Sequence, residues 1–276
     1  MSAAATLQAP EVRALLARAD MYRLLAQAFS YPDRRGLQAL RSLLDEVLEH
    51  GVARGLALED ATAALATASR SRDARPARLA GEHTRLFAGQ VECSGHETEY
   101  EFDPFSKARQ LADICGFYKA FGLQVAEERR GLPDFVATEL EFLSFLALKE
   151  AYAAVQGWPA ERQIAADAQR SFLEDHAGRW LPAFARKLAG LYVPFYSAAA
   201  DLLGAFIASE IERLGANPLP LVQRGQLAGD DAEAFVCGLE LPRDGDDEPS
   251  PQMVTWFDDP PVIEATQRPG GGGDEA

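Results

Sequence analysis

Apolar side chains recur at steps of three and four positions along most of the first 214 residues, and this spacing constrains the fold more than any other feature of the chain. From Val12 to Phe29, for example, the apolar residues fall on one face of a helix. No run of residues alternates between polar and apolar, as a half-buried strand does. The sequence therefore predicts an all-α fold.

Proline and glycine divide this pattern into separate helices. The first helix stops at Pro32, and Gly51 caps the second. The predicted helices cover residues 12–29, 37–48, 58–70, 76–87, 108–121, 135–156 and, as two or three helices, 160–214. Two polar segments, residues 88–104 and 124–132, interrupt the helical spacing. Together these elements predict one helical domain over residues 1–222.

The acidic residues are concentrated at the C-terminal end of the chain. Residues 226–276 contain thirteen Asp or Glu and two Arg, a net charge of −11 out of −15 for the whole chain, which leaves −4 for the rest. Because a like-charged sequence with few apolar residues cannot bury enough surface to order itself, we predict a largely disordered acidic tail over residues 223–276. Two apolar islands, residues 235–237 and 253–257, are candidates for docking on the helical domain.

This charge balance also restricts the partners. Nucleic acids and anionic membrane surfaces require a basic protein surface, so we expect neither as a partner, and a basic peptide is the better match. The three cysteines form no CxxC pair, which suits a reducing compartment. The sequence shows no signal peptide pattern and no apolar stretch long enough to span a membrane. We therefore expect a cytoplasmic protein.

The sequence contains none of the common nucleotide-binding or hydrolase motifs. The chain has no GxGxxG, no P-loop and no GxSxG element. Four residues with metal-ligating side chains lie close together in sequence: Glu82, His83, Cys93 and His96. Their spacing matches no compact zinc motif, so a metal-dependent hydrolase is only the alternative hypothesis. The leading expectation is a protein that is not an enzyme and that holds neither a metal nor a cofactor.

Five segments in order carry a resemblance to a known family. They are residues 81–87 (GEHTRLF), 93–100 (CSGHETEY), 113–122 (DICGFYKAFG), 132–142 (LPDFVATELEF), and 175–176 (DH) with 180–182 (WLP) and 195–196 (FY). This order resembles the TorD/DmsD/NarJ family of redox-enzyme maturation chaperones over about residues 10–214. Two positions depart from the family's motifs: Gly95-His96 replaces the usual Pro-Tyr, and Phe135 stands where histidine is common.

The resemblance implies a fold and a function. The family is all-α with roughly ten helices. For this chain the oligomeric state stays open between monomer and dimer. Members of the family bind the leader peptide or the apo form of the catalytic subunit of a molybdopterin oxidoreductase, assist insertion of the molybdenum cofactor and prevent premature export. A nucleotide-regulated chaperone is a further alternative, for which this chain has no nucleotide motif.

The two polar segments are the predicted peptide-binding site. Arginine pairs best with carboxylates, and an apolar leader segment needs an apolar floor. The predicted binding residues are Glu97, Glu99, Tyr100, Tyr118, Gly122, Leu132, Pro133, Asp134, Phe135 and Glu139. Structural roles compete for several of them: Asp134 as a helix N-cap, Tyr118 as a core residue, Gly122 as a C-cap, and Glu139 as a residue that solvates a helix start.

Overall fold

The computed structural model describes residues 9–88, 92–100, 107–125, 132–219, 221 and 263–265. Ten α-helices lie in this part of the chain: α1 Pro10–Phe29, α2 Arg34–Glu49, α3 Val52–Gly55, α4 Glu59–Ser69, α5 Pro76–Phe87, α6 Lys107–Ala120, α7 Val136–Gln156, α8 Pro159–Asp175, α9 Ala177–Ala189 and α10 Pro194–Leu214. A short 3-10 turn covers Glu97–Glu99. The predicted all-α fold of about ten helices is confirmed. Within these ranges, no helix combines the length and the apolar character needed to cross a membrane.

The helices pack around one apolar core. Helix α1 runs against α7, α7 against α8, and α9 against α10. Aromatic rings join these pairs: Tyr22 of α1 meets Phe206 of α10 with ring centroids 4.6 Å apart, and Phe29 of α1 meets Phe184 of α9 at 5.5 Å. Trp180 is fully buried at the centre of this core. Such edge-to-face pairs add about 1 kcal/mol each beyond the area that they bury.

The helix ends follow the predicted stops. The Asp33 carboxylate accepts a hydrogen bond from the Gly36 backbone N–H and caps α2. Gly51 and Gly157 adopt the left-handed conformation just after α2 and α7, a conformation that favours glycine. The sequence did not predict α3, because four residues are too few to show a helical period.

A two-stranded antiparallel ribbon interrupts the helical architecture. Strand β1, Leu123–Val125, pairs with β2, Ile263–Ala265, in the register Leu123↔Ala265 to Val125↔Ile263. The sequence did not predict this six-residue ribbon, since three-residue strands are too short to show alternation. The rest of the tail, residues 222–262 and 266–276, lies outside the described residues, and so do both apolar islands. The domain boundary after residue 222 stays a prediction.

Candidate functional site

The two polar segments that the sequence singled out are joined to each other. Residues 92–100 and 132–135 run side by side, and an antiparallel bridge links His96 to Phe135. The Glu97 N–H donates to the Asp134 carbonyl over 3.0 Å, and the Val136 N–H donates to the Gly95 carbonyl over 2.9 Å. The second of these bonds satisfies an N–H in the first turn of α7. The first polar segment thus becomes part of the start of α7.

Asp134 connects residues 92–100 to residues 132–135 through its side chain, and we call this contact region the junction. One of its carboxylate oxygens lies 3.1 Å from Nδ1 of His96, and the other accepts from the Thr98 hydroxyl at 2.7 Å and from the Thr98 N–H at 3.3 Å. Burial alone raises the pKa of Asp134, but the hydrogen bonds from His96 and Thr98 and the charge of His96 outweigh it and hold the pKa below its ordinary value. The N-cap role predicted for Asp134 is wrong: Phe135 occupies the cap position of α7, without a side-chain cap.

The two positions that depart from the family's motifs are in contact with each other. The His96 and Phe135 rings lie 5.1 Å apart, and a Cβ on Gly95 would meet the Phe135 ring at 2.8 Å. His96 and Phe135 thus place one histidine and one aromatic ring beside Asp134.

We expect the His96–Phe135 pair to behave as one energetically coupled unit, because the two rings are in contact. The single variants His96→Tyr and Phe135→His should each destabilise the fold, because each disturbs the ring pair beside Asp134. The double variant should lose ~1 kcal/mol less unfolding free energy than the two single variants lose together, since residues in contact are energetically coupled. Denaturant unfolding of the four proteins measures this coupling, and strictly additive effects would show that the two positions are independent.

A buried carboxyl pair lies behind the junction. Glu97 Oε1 accepts from Gln110 Nε2 at 2.6 Å and lies 3.1 Å from His176 Nδ1, while Glu139 Oε2 accepts from Trp180 Nε1 at 2.9 Å. Both glutamates are almost completely buried. Burial, followed by the negative charge of Glu97, raises the pKa of Glu139 well above its ordinary value.

One oxygen of each glutamate needs a hydrogen-bond donor. Glu97 Oε2 and Glu139 Oε1 meet no N–H or O–H donor within the part of the chain that the structure describes. A proton on Glu139 satisfies both oxygens, because the carboxyl then donates to the Glu97 carboxylate. The raised pKa of Glu139 favours its protonated form, in which the pair holds the 3-10 turn against α7 and α9 without two buried charges.

Two tyrosines extend the network to neighbouring elements. The Tyr118 hydroxyl donates to the Pro133 carbonyl over 2.7 Å, and the ring packs 4.8 Å from Phe142. The Tyr100 hydroxyl donates to the Ser94 carbonyl over 2.9 Å, and its ring lies 5.2 Å from that of Trp180. Helix α6 and the first polar segment are thereby fixed to the same framework.

The predicted binding residues separate into an inner and an outer set. Glu97, Tyr118, Asp134, Phe135 and Glu139 are buried; Tyr100, Gly122 and Pro133 are half-buried; Glu99 and Leu132 are exposed. Gly122 has a φ of +70° just after α6, as expected of a C-cap, and Glu99 pairs with Lys107 at 2.6 Å. Other acidic and aromatic residues of the two polar segments lie outside the described residues: Glu101, Phe102, Asp103, Glu127 and Glu128. The peptide-binding role of the ten residues stays a prediction.

Sequence reasoning missed several members of the network. Thr98, Gln110, His176 and Trp180 supply the hydrogen bonds that position the predicted residues. A signal was present for three of them, because Thr98 belongs to the second family-like segment and His176 and Trp180 belong to the fifth. Nothing in the sequence marked Gln110, which lies buried on α6 and donates to Glu97.

The four candidate metal ligands do not converge. Glu82 pairs with Arg85, His83 contacts the Phe29 carbonyl at 3.2 Å, and His96 turns to Asp134. Cys93 lies 3.7 Å from the Tyr100 hydroxyl. Among the residues with described positions, no three His, Cys, Asp or Glu side chains form a group that could hold a metal ion. The geometry thus gives the hydrolase hypothesis no support.

Comparison with known proteins identifies the family. The family model for the nitrate reductase delta subunit matches residues 53–186. The selenate reductase assembly chaperone protein of Thauera selenatis is 32% identical over 206 residues, which are 72% of this chain and 90% of the relative. The chlorate reductase assembly chaperone protein of Ideonella dechloratans is 34% identical over 108 residues, 39% of this chain and 54% of the relative. The chaperone protein TorD of Vibrio cholerae is 34% identical over 104 residues, 37% of this chain and 44% of the relative.

These relatives are chaperones, which agrees with the expectation that the chain is not an enzyme. The similarity to the Thauera protein covers nearly all of that relative, and the five motifs lie in the order that the family requires. The chain belongs to the TorD/DmsD/NarJ family of redox-enzyme maturation chaperones.

Proposed function

We propose that this chain is a cytoplasmic chaperone for the catalytic subunit of a molybdopterin oxidoreductase. It binds the leader peptide or the apo form of that subunit, assists insertion of the molybdenum cofactor and prevents premature export. The proposal is supported by the relatives, which are named as assembly chaperones of selenate reductase and chlorate reductase. A client of the same class, an oxyanion reductase, is the natural candidate.

The observation that carries the proposal is the junction at Asp134. Because its carboxylate ties residues 92–100 to the start of α7, the outer residues of both segments are held on one framework. Leu132, with 53% of its surface exposed, and the exposed carboxylate of Glu99 flank this junction. In our proposal the buried residues position the site, and the outer residues contact an apolar and basic peptide.

Capture of the client from the native host tests this function. The tagged chaperone should recover a molybdoenzyme catalytic subunit, and calorimetry should detect binding of a synthetic peptide that corresponds to that subunit's leader. The same peptide with its arginines changed to glutamine is the control, since carboxylate pairing requires the guanidinium groups. If neither the apo subunit nor the leader peptide bound, the proposed function would be wrong.

Leu132 offers a direct test of the binding surface. The variant Leu132→Ala should weaken leader binding about fivefold to tenfold, because an exposed apolar side chain at an interface contributes ~1 kcal/mol. Its unfolding free energy should change little, since the side chain is half exposed already. Ile164→Ala is the matched control, because Ile164 is 59% exposed and belongs to neither polar segment. Equal losses in the two variants would argue against a site at Leu132.

A further inference from the structure

Strand β1 occupies a special place in the chain. It follows α6 directly after Gly122 and leads, through residues 126–131, into the Leu132–Phe135 junction. Its partner β2 also lies against α7, the helix that begins at that junction. The C-terminal segment of this protein therefore reaches the neighbourhood of the predicted peptide site.

The pairing of the two strands is short. It comprises three residue pairs, Leu123↔Ala265, Gln124↔Glu264 and Val125↔Ile263. A two-stranded ribbon of this length is marginal in water and depends on its surroundings for stability. Gln124, in the centre of β1, is exposed. The contact is thus weak enough to open and close.

The two strands belong to one chain. The helical domain is described up to Leu221, and 41 residues of sequence, 222–262, separate it from β2. Because the pairing is intramolecular, β2 meets β1 without the loss of translational freedom that a separate peptide incurs. A marginal strand pair is therefore populated within one molecule, although the same segment as a free peptide binds weakly.

We propose that the edge of β1 is a docking site for an extended segment of the client polypeptide, and that β2 is an internal ligand which the client displaces. Addition of a strand to an exposed edge relies on backbone hydrogen bonds, which any extended client segment supplies. The net charge of −11 over residues 226–276 lies on the displaced segment and favours a basic client nearby. This inference rests on the proposed function, because it specifies how the same client is admitted.

The first part of the test requires no client. In a Cys115→Ser/Cys237→Ser background, the pair Gln124→Cys/Glu264→Cys places two thiols opposite each other in the register. Mild oxidation should link them within one chain, whereas the displaced pair Gln124→Cys/Ser250→Cys should link much more slowly. Equal rates for the two pairs would mean that β2 does not pair with β1 in solution and would overturn the inference.

The second part measures competition in the full chain. Ile263→Pro/Glu264→Pro removes two successive N–H groups, one of which must face β1, so it breaks the pairing. Ile263→Ala/Glu264→Ala is the matched control, because it makes the same side-chain losses and keeps the backbone donors. Calorimetry with the synthetic leader peptide of the molybdoenzyme subunit should show about threefold to tenfold tighter binding to the proline variant than to the alanine variant, since the free edge is more populated.

The outcomes separate the two proposals. If the proline and alanine variants bind the peptide equally, or if the oxidised cross-linked protein binds as well as the reduced one, β2 does not compete and this inference fails while the proposed function stands. If no variant binds the peptide, the proposed function fails and the inference falls with it. Thermal unfolding of each variant checks that the helical domain is intact.

Discussion

The double variant Glu97→Gln/Glu139→Gln is expected to lose ~2–3 kcal/mol more unfolding free energy than the two single variants lose together. This excess is about the cost of burying N–H donors that have no acceptor. Glu97 Oε1 and Glu139 Oε2 must remain acceptors, because Gln110 and His176 face the first and Trp180 faces the second. In either single variant the new amide N–H₂ therefore replaces the other oxygen of the side chain and faces a carboxylate oxygen of its partner. In the double variant two N–H₂ groups face each other.

The single variant Glu139→Gln adds a test by pH. The pKa of Glu139 is raised above its ordinary value of 4.5 in the folded protein, mainly by burial. Folding therefore takes up a proton, and the stability that Glu139 contributes is fully present below pH 4.5 and is lost as the pH rises toward the folded-state pKa. A glutamine at position 139 does not titrate. The unfolding free energy of the variant, relative to that of the parent protein, should therefore increase between about pH 5 and pH 8.

Denaturant unfolding of the parent protein, both single variants and the double variant at pH 5 and pH 8 measures both effects. Other titrating groups are the same in all four proteins, so the differences between them isolate the pair. An additive double variant, or a Glu139→Gln variant whose relative stability does not change with pH, would show that the two carboxyls do not share a proton.

Asp134→Ala is expected to destabilise the fold by ~3 kcal/mol and to weaken leader binding by at least about tenfold. Its carboxylate is the shared partner of His96 and of both the hydroxyl and the N–H of Thr98. Removing it leaves those buried groups without their acceptor, which costs more than the loss of one exposed ion pair. Residues 92–100 then separate from the start of α7, and the outer surface loses its framework.

Asp45→Ala is the control for this variant, because Asp45 forms an exposed ion pair with Arg70 at 2.6 Å. A surface pair of this kind contributes ~0.5 kcal/mol. Unfolding free energies and calorimetric titration with the leader peptide measure the two effects separately. If Asp134→Ala unfolded like Asp45→Ala and bound the peptide with unchanged affinity, the junction would have no role in holding the site.

The helices were predictable because their signals are local. The apolar spacing from Val12 to Phe29 identifies α1, and Gly51 and Gly157 mark the ends of α2 and α7. Each of these signals depends on residues within a few positions of one another, where the helical period and the chain's own backbone hydrogen bonds act. Helix α3 and the two short strands escaped detection, since elements of three or four residues are too short to show a repeated pattern.

The candidate site was predictable only in part. The motifs identified Glu97, Asp134 and Glu139 as important, but the reasoning from charge placed them on the surface as partners for arginine. In the structure all three are buried, and their carboxyl groups bind residues far away in sequence. An isolated Asp or Glu in a polar segment looks the same whether it faces solvent or a buried histidine, so composition cannot distinguish the two cases.

The sequence alone determined the all-α fold, the ends of several helices, the acidic charge of the tail and the family, because periodicity, stops and ordered motifs are all properties of the linear chain. Only the tertiary structure decided that Asp134 joins two segments, that Glu97 and Glu139 are buried together behind this junction, that the His96 and Phe135 rings are in contact, and that β2 lies on β1. Each of these features pairs side chains or backbones that are at least 36 residues apart. Such contacts form when packing excludes water and makes every buried polar group find a partner, a requirement that no local pattern records.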